Sequence, residues 1–323
     1  MERARKRLLV AAIALAAAAT AAAQGTYPSR PVTIVVGFAP GGGTDIGARI
    51  IAKQLSAGLG QNVLVENRPG AGGNIAADVV ARALPDGHTI MLAGPGPLTV
   101  APHLVAKLPY DPRRDFAPVT KAVNFPNVLV VHPSLPATTI AEYVALARAK
   151  PDTIGYGTSG IGSAGHLSGE LFRQMAKAPI VHVPYKGGGP AMTDLLGGQV
   201  PSSFASAPTA IPHVKAGKLR ALGTTGPKRS AFLPDVPSIA ESYAGYDATN
   251  WYAFVVPAKT PKEIVERLNR EIVKVLNTAE VREQLLANGM EPEPSTPEEL
   301  AKHIETELAQ WGRVVKEAGI QAQ

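Results

Sequence analysis

Four glycine-rich turns each come directly before the start of a predicted helix. They span residues 37–43, 70–73, 155–165 and 187–189. The N-terminus of a helix leaves backbone N–H groups without partners and carries partial positive charge, and glycine lets a ligand approach that backbone closely. One such turn is a common connector, but four in one chain, placed beyond the carboxyl ends of strands, predict a site for a small anion.

Nucleophilic catalysis is the main chemical alternative. Ser159 and Ser163 lie in the third turn and His166 follows on the next helix, which leaves open a serine–histidine pair. Neither serine has glycine both two residues before and two residues after it, as a nucleophile elbow requires. An exported serine hydrolase therefore stays open as an alternative to a binding protein.

Cofactor and metal chemistry find little support. Residues 155–160 read GYGTSG and match the dinucleotide fingerprint, but the acidic residue needed about 20 positions later is replaced by the run PIVHV at 179–183. The sequence has no cysteine, which excludes thiolate sites and disulfides, and its seven histidines show no HExxH spacing. We expect neither a metal nor a cofactor.

The N-terminal residues have the features of a secretory signal peptide. A basic segment with Arg3, Arg5, Lys6 and Arg7 precedes an apolar run at 8–18, and alanines at 21–23 offer a cleavage site. The apolar run is shorter than the roughly 20 residues that span a membrane, although an uncleaved anchor stays an alternative. Removal of residues 1–23 takes away four basic and one acidic side chains and lowers the formal net charge from +6 to +3.

Composition indicates a globular protein of about two domains. The chain has 323 residues, of which 45% are hydrophobic and 18% charged. Aromatic residues make up only 5%, and no Lys/Arg cluster follows residue 23, so we expect no nucleic-acid partner.

Strands that alternate with helices predict two α/β lobes. Short strands rich in β-branched residues at 31–36, 63–65 and 89–93 are each followed by a glycine-rich turn. This pattern is typical of mainly parallel sheets flanked by helices. A second series of strands begins near 127, an aromatic strand covers 251–256, and TPKE at 260–263 and TPEE at 296–299 begin two helices. We expect one lobe at 27–124 plus 249–323, another at 125–248, and two hinge crossings near 122–127 and 247–250.

Several ordered motifs resemble the Bug family of extracytoplasmic solute receptors, which serve tripartite tricarboxylate transporters. The matching segments run through the whole chain after residue 26: YPSRPV at 27–32, GFAPGGGTD at 37–45, VENRPGAGGN at 65–74, LPYDP at 108–112, DFAPV at 115–119, GTSG at 157–160, VPYKG at 183–187 and GKLRAL at 217–222.

This resemblance implies a type II-like periplasmic binding protein whose two lobes close on a hinge over a small carboxylate. The family holds the carboxylate through backbone N–H groups, hydroxyls and ordered water, without a salt bridge. The resemblance also implies a monomer that delivers its ligand to membrane subunits of the transporter. A sensing module that docks on a sensor kinase stays open as an alternative.

Carried over to this chain, the resemblance implies ligand-binding residues in both lobes and at the hinge. Those of the first lobe are Phe38, Ala39, Thr44, Asn67, Gly73 and Asn74. Those of the second lobe are Gly157, Thr158, Ser159, Ser163, His166, Tyr185, Lys186, Gly187 and Ser206, and Trp251 flanks the hinge.

Two departures from the family pattern bear on the ligand. Ala205-Ser206 stands where relatives often have an acidic residue followed by a polar one, and GPGP at 94–97 replaces a turn usually richer in Ser and Thr. Both changes make the pocket less polar. We therefore expect a plain mono- or dicarboxylate, aromatic acids included, rather than an amino acid.

Overall fold

The computed structural model describes residues 27–317, so the predicted signal peptide at 1–23 lies outside the described residues. Within this range, eleven strands form two separate sheets. The strands are β1 (Val32–Val36), β2 (Val63–Asn67), β3 (Thr89–Ala93), β4 (Phe116–Phe125), β5 (Asn127–Val131), β6 (Ile154–Thr158), β7 (Ile180–Pro184), β8 (Ser202–Ser206), β9 (Arg220–Thr224), β10 (Asn250–Pro257) and β11 (Glu291–Pro292).

Helices cover both sheets. They are α1 (Gly43–Leu59), α2 (Asn74–Ala81), α3 (Ala101–Leu104), α4 (Ile140–Ala149), α5 (Ala164–Ala176), α6 (Gly188–Leu196), α7 (Ala207–Lys215), α8 (Lys262–Leu276), α9 (Ala279–Ala287) and α10 (Pro297–Glu317). Across residues 27–317, no helix combines the length and apolar character needed to span a membrane.

The first sheet has the strand order β11-β4-β10-β3-β1-β2 and the second has the order β7-β6-β8-β5-β9. The chain passes from β4 through Pro126 into β5, and it returns from the second sheet into β10. The two-lobed α/β class predicted from the sequence is confirmed, and strands of the first sheet come from both ends of the chain.

Both sheets are mixed, whereas the sequence predicts mainly parallel ones. Strand β1 pairs in parallel with β2 and β3, and β6 pairs in parallel with β7 and β8. The antiparallel strands are β10 and β11 in the first sheet and β5 in the second. A strand that enters a lobe from the hinge must run away from the cleft, because the strands of the repeating strand–helix units run toward it. The direction of β5 and β10 follows from this.

The largest apolar cluster in residues 27–317 includes side chains from both sheets and from the helices that pack on them. Ile51 and Leu55 of α1 and Leu268 of α8 are buried against the first sheet. The same cluster continues through Tyr252 in β10 to Ile211 in α7. Burial of each of these side chains stabilises the fold by about 1.5–3 kcal/mol. Because the helices are held against the sheets in this way, the helix starts that face the cleft are held in position.

Candidate functional site

A cavity lies between the two sheets and is lined from both sides. Counting the solvent space at its mouth, it has about 480 Å³ free of protein atoms. The lining residues are Phe38, Gly42, Gly43, Thr44, Gly94, Pro95, Gly96, Pro97, Asn127, Ser159, Ser163, Ala164, Gly165, Gly188, Phe204, Ser206, Asn250 and Tyr252. All of these side chains are uncharged at neutral pH, so this site must bind through dipoles and apolar contact.

The N-terminus of α5 supplies donors from the second sheet's side. Ser163 is the N-cap, and its Oγ accepts from the N–H of His166 at 3.3 Å. Hydrogen bonds within residues 27–317 leave the N–H groups of Ala164 and Gly165 without an acceptor. A Cβ on Gly165 would stand 2.5 Å from the carbonyl oxygen of Phe204. Glycine is therefore required for α5 to begin this close to β8.

The N-terminus of α1 faces the same cavity from the first sheet's side. Its N-cap, Gly42, has no side chain to satisfy the first amides, and the N–H groups of Gly43 and Thr44 have no acceptor within the described chain. Two helix starts from opposite lobes thus direct unpaired donors and partial positive charge into one space.

Asp45, on the first turn of α1, is turned away from the cavity. Its carboxylate accepts from Arg49 Nε, Gly41 N and Asn67 Nδ2, each at 3.0 Å. Burial alone would raise the pKa of Asp45, but the hydrogen bonds from Arg49, Gly41 and Asn67 outweigh it and lower the pKa. The negative charge is compensated by Arg49, and repulsion of an anion in the cavity is correspondingly reduced.

Hydroxyl groups form the wall between α1 and β8. Ser206 Oγ lies 2.6 Å from Thr209 Oγ1. Burial raises the pKa of Tyr252 to about 12, while hydrogen bonding with Thr44 and Ser206 opposes the rise. The phenol is therefore neutral at physiological pH and can donate a hydrogen bond.

Two asparagines occupy the hinge at the back of the cavity. Asn250 Nδ2 donates to Asn127 Oδ1 at 3.2 Å, and Asn127 Nδ2 donates to Ser168 Oγ at 2.9 Å. Asn127 begins β5 and Asn250 begins β10. Both chain crossings and helix α5 are joined through this pair.

Backbone contacts close the cleft at its rims. The N–H of Ala39 donates to the carbonyl of Lys186 at 3.0 Å. Gly72, in a left-handed conformation with φ +65°, packs so tightly against the carbonyl of Ile161 that a Cβ there would overlap the oxygen. The turn at 70–73, predicted as an anion-binding turn, contacts the opposite lobe instead of lining the cavity.

Five residues of the predicted ligand set line the cavity: Phe38, Thr44, Ser159, Ser163 and Ser206. Three more, Ala39, Lys186 and Gly187, form the rim contact described above, and a Cβ on Gly187 would stand 2.7 Å from the N atom of Ala39. The structure thus brings the two sides of the predicted site together.

Three residues predicted on the first lobe lie behind the cavity wall. Asn67 Nδ2 donates to the carbonyl of Phe38 at 3.0 Å, so it holds the first turn in place. Gly73 packs beside the Phe38 ring. Asn74 Oδ1 accepts from the Tyr110 hydroxyl at 2.9 Å.

Thr158, His166 and Tyr185 also have partners outside the cavity. Thr158 Oγ1 lies 2.6 Å from His182 Nε2, and the Tyr185 hydroxyl donates to Asp194 at 2.8 Å. His166 stacks on His182 with ring centroids 4.1 Å apart, and its Nδ1 accepts from the N–H of Gly162 at 3.1 Å. These contacts shape the turn that carries Ser159 and Ser163.

Two predicted positions need correction. A Cβ on Gly157 would point at Tyr185 and Val200 rather than into the cavity. The missing side chain at this position therefore does not make room for an anion. Trp251 packs with Leu300 and Leu308 on the other face of the first sheet. Because side chains alternate along a strand, its neighbour Tyr252 lines the cavity instead.

Several cavity residues escaped prediction. The amides of Ala164 and Gly165 are a consequence of where α5 begins, and Phe204 and Tyr252 depend on strand direction. Asn127 and Asn250 carried a usable signal, since each lies in one of the predicted hinge crossings.

The geometry gives no support to hydrolase chemistry. Within residues 27–317, no hydrogen bond joins the imidazole of His166 to Ser159 or Ser163. The Ser163 hydroxyl instead caps α5. Three-residue groups of His, Asp and Glu suited to a metal ion are also lacking in this part of the chain.

Comparison with known proteins places the chain in a family. Residues 47–320 match the family model described as tripartite tricarboxylate transporter family receptor. The structure of the periplasmic binding protein BugD has a TM-score of 0.89 and 35% identity, covering 92% of this chain and 100% of that one.

Two similar structures contain acids. Rpa4515 of R. palustris, solved with adipate, has a TM-score of 0.88 and 40% identity over 92% of this chain and 100% of that one. MatC (Rpa3494) of Rhodopseudomonas palustris, solved with bound malate, has a TM-score of 0.86 and 34% identity over 90% of this chain and 100% of that one. With its two-lobed fold and its match over residues 47–320, the chain belongs to the receptors of the tripartite tricarboxylate transporter family, a Bug-type group of solute-binding proteins.

Proposed function

We propose that this protein captures a small carboxylate in the periplasm and delivers it to the membrane subunits of a tripartite tricarboxylate-type transporter. The observation that carries the proposal is the uncharged cavity at which the unpaired amides of α1 and α5 meet. The lobes that close over the ligand are residues 27–124 with 249–323, and residues 125–248.

An anion suits this cavity for electrostatic reasons. Two helix N-termini and the hydroxyls of Thr44, Ser163 and Tyr252 present donors, and hydrogen bonds to a charged acceptor are about twice as strong as neutral ones. A cation would meet the positive ends of both helices. The site therefore favours a carboxylate without needing an arginine.

The lining also favours a particular class of acid. An amino acid requires an acceptor for its ammonium group, and no carboxylate from residues 27–317 lines the cavity. The rings of Phe38 and Phe204 with Pro95 and Pro97 supply apolar contact for a carbon chain or ring. Adipate and malate in the two related structures support a dicarboxylate, and tricarboxylates and aromatic acids share the chemistry.

Direct ligand contacts in this proposal come from Thr44, Ser159, Ser163, Ser206 and the backbone at Phe38. Several other residues of the predicted set act indirectly. Asn67 and Gly73 position the first turn, Thr158 and His166 position the third turn, and Ala39, Lys186 and Gly187 hold the rim closed.

The test is a binding panel. Purified protein is screened by thermal shift and then by calorimetry against malate, adipate, citrate, benzoate, aspartate and glutamate. We expect one or more plain acids to raise the melting temperature by mass action, with aspartate and glutamate weaker. Saturable binding of amino acids alone, or of none of the acids, contradicts the proposal.

A further inference from the structure

A second concave surface lies outside the ligand cavity, where the two lobes meet. We call it the interlobe groove. Its walls include Pro40 and Ile46 from the first lobe, and Pro190, Leu196, Pro212 and His213 from the second. The groove is open to solvent and has about 1050 Å³ of space free of protein atoms, solvent included. An open, mainly apolar surface of this kind suits a polypeptide segment better than a small acid.

The interlobe groove exists only while the lobes touch. Ile46 is on α1, Leu196 is on α6 and Pro212 is on α7. At the groove floor, Gly189 packs so closely on the carbonyl of Pro40 that a Cβ would overlap it. Rotation about the hinge moves α6 and α7 away from α1 and divides the groove into two halves.

The surface of the interlobe groove is rigid and largely apolar. Proline side chains line it from both lobes, and their fixed backbone loses little conformational freedom when a partner binds. Pro40 and Pro212 are exposed, and Ile46 and Leu196 are half-buried. An apolar ridge on a partner can therefore reach them.

Positive charge lies beside the interlobe groove. Lys186, Lys215 and Lys218 are exposed and lie within five residues in sequence of groove-lining positions, and the charge of Lys218 acts on His213 in the groove wall. The ion pairs among residues 27–317 include none of these lysines. Carboxylates on a partner would find them available, which favours acidic residues beside the apolar ridge.

We propose that the interlobe groove docks an apolar, acid-flanked segment of the transporter's membrane subunits and thereby recognises the closed receptor. This inference rests on the proposed transport function and names the surface that performs it. Because both lobes contribute walls, the segment binds the closed form better than the open one, as a population shift requires.

The experiment measures uptake and ligand binding separately. The assay uses spheroplasts of the source organism from which the gene for this protein has been deleted. Purified receptor is added together with radiolabelled adipate or malate, whichever acid the wild-type receptor binds. The test variants are Leu196→Glu and the double variant Lys215→Glu/Lys218→Glu. Leu84→Glu, at an exposed leucine outside the groove, and Lys150→Glu/Lys228→Glu, with the same change in charge, are the matched controls.

We expect the groove variants to reduce receptor-dependent uptake by about tenfold, the size of effect typical of hot-spot residues. Calorimetric affinity for the acid should stay unchanged, which shows that each variant is folded. The control variants should support wild-type uptake.

Wild-type uptake by both groove variants overturns the groove proposal while leaving the transport proposal intact. Equal loss of uptake in groove and control variants also overturns it. Failure of the wild type itself to bind an acid or support uptake contradicts the proposed function instead, so the two failures are distinguishable.

Discussion

Asn250 donates a hydrogen bond to Asn127 across the hinge, with Nδ2 3.2 Å from Oδ1. The two residues are 123 positions apart in the chain, and each begins the strand that carries the chain into one of the sheets. Both also line the cavity. The amide pair that joins the two hinge crossings thus also forms part of the cavity wall.

Replacement of Asn250 by alanine should destabilise the protein and weaken acid binding. The change leaves Asn127 Oδ1 and the N–H of Trp251 without their partner, and buried groups left unpaired cost about 1–3 kcal/mol each. Urea denaturation measures the free energy of unfolding, and calorimetry measures affinity. Asn62→Ala, at an exposed position, is the control, and an unchanged urea midpoint for Asn250→Ala would argue against this role of the amide pair.

Two substitutions at Ser163 separate its roles. Alanine removes both the cap on α5 and the hydroxyl in the cavity, so stability should fall by about 1 kcal/mol and affinity by about 1–2 kcal/mol. Glycine is almost as good an N-cap as serine, at a cost of a few tenths of a kcal/mol, yet it lacks the hydroxyl. Wild-type affinity in Ser163→Gly would show that the hydroxyl serves only α5.

Gly43→Ala should abolish binding of the acid. A Cβ at this position would stand 2.7 Å from both Ser206 Oγ and the Tyr252 hydroxyl, and it would occupy the cavity beside the α1 amides. Gly58→Ala, on the same helix, meets only the flexible end of Glu271 and should gain up to about 1 kcal/mol of stability from helix propensity. The ligand-induced thermal shift distinguishes them, and a normal shift in Gly43→Ala contradicts the assigned cavity.

Gly72→Ala should weaken binding by holding the lobes apart. A Cβ there overlaps the carbonyl of Ile161 across the cleft, whereas Gly60 has a similar φ of +69° and nothing within 4 Å of its Cβ position. Both alanines carry a similar backbone strain of about 1–2 kcal/mol from the left-handed conformation, so Gly60→Ala is a matched control. Calorimetry should show reduced affinity only for Gly72→Ala, and equal affinities would mean that the 70–73 turn does not limit closure.

Stability should fall in mild acid because of the stacked histidines. Burial first, and then the charge of His166, lowers the pKa of His182 from 6.5 to about 3. Between these values the unfolded chain binds the extra proton, so the contribution of His182 to the free energy of unfolding is greatest above pH 6.5. It decreases toward pH 3 by at most about 1.4 kcal/mol per pH unit.

Urea denaturation at pH 7 and pH 5 tests this dependence. His182→Asn should lose less stability over that interval than the wild type, because it removes the group that gains a proton on unfolding. Asn62→Ala, at an exposed position without a titratable side chain, is the control and should lose as much stability over that interval as the wild type does. Parallel pH profiles for His182→Asn and the wild type would refute the assignment.

Local sequence patterns predicted the elements well. The run TPEE predicted the start of α10, where Thr296 Oγ1 accepts from the Glu299 N–H at 3.1 Å and the Glu299 carboxylate accepts from the Thr296 N–H at 2.8 Å. The similar run TPKE predicted a cap at Thr260, but its hydroxyl donates to Pro257 and α8 begins at Lys262. A side chain that caps the backbone N–H groups of a helix start within four positions can be recognised from the sequence. A carbonyl of the preceding loop that competes for the same side chain cannot.

Prediction of the cavity was limited by features that depend on long-range pairing. Alternation shows that Trp251 and Tyr252 face opposite sides of β10, but only the pairing of β10 between β3 and β4 decides which one faces the cleft. The side of β6 toward which Gly157 faces likewise depends on the neighbouring strands. The role of the 70–73 turn as a contact between lobes depends on the position of the opposite lobe.

The interleaved order of the first sheet has a consequence for the growing chain. All strands of the second sheet lie between residues 127 and 224, so that sheet can assemble while later residues are still being synthesised. The first sheet cannot, because β10 must insert between β3 and β4. A chain released before residue 250 would carry two bare strand edges, which pair readily with other chains. Premature termination should therefore yield an aggregation-prone fragment rather than a soluble half-receptor.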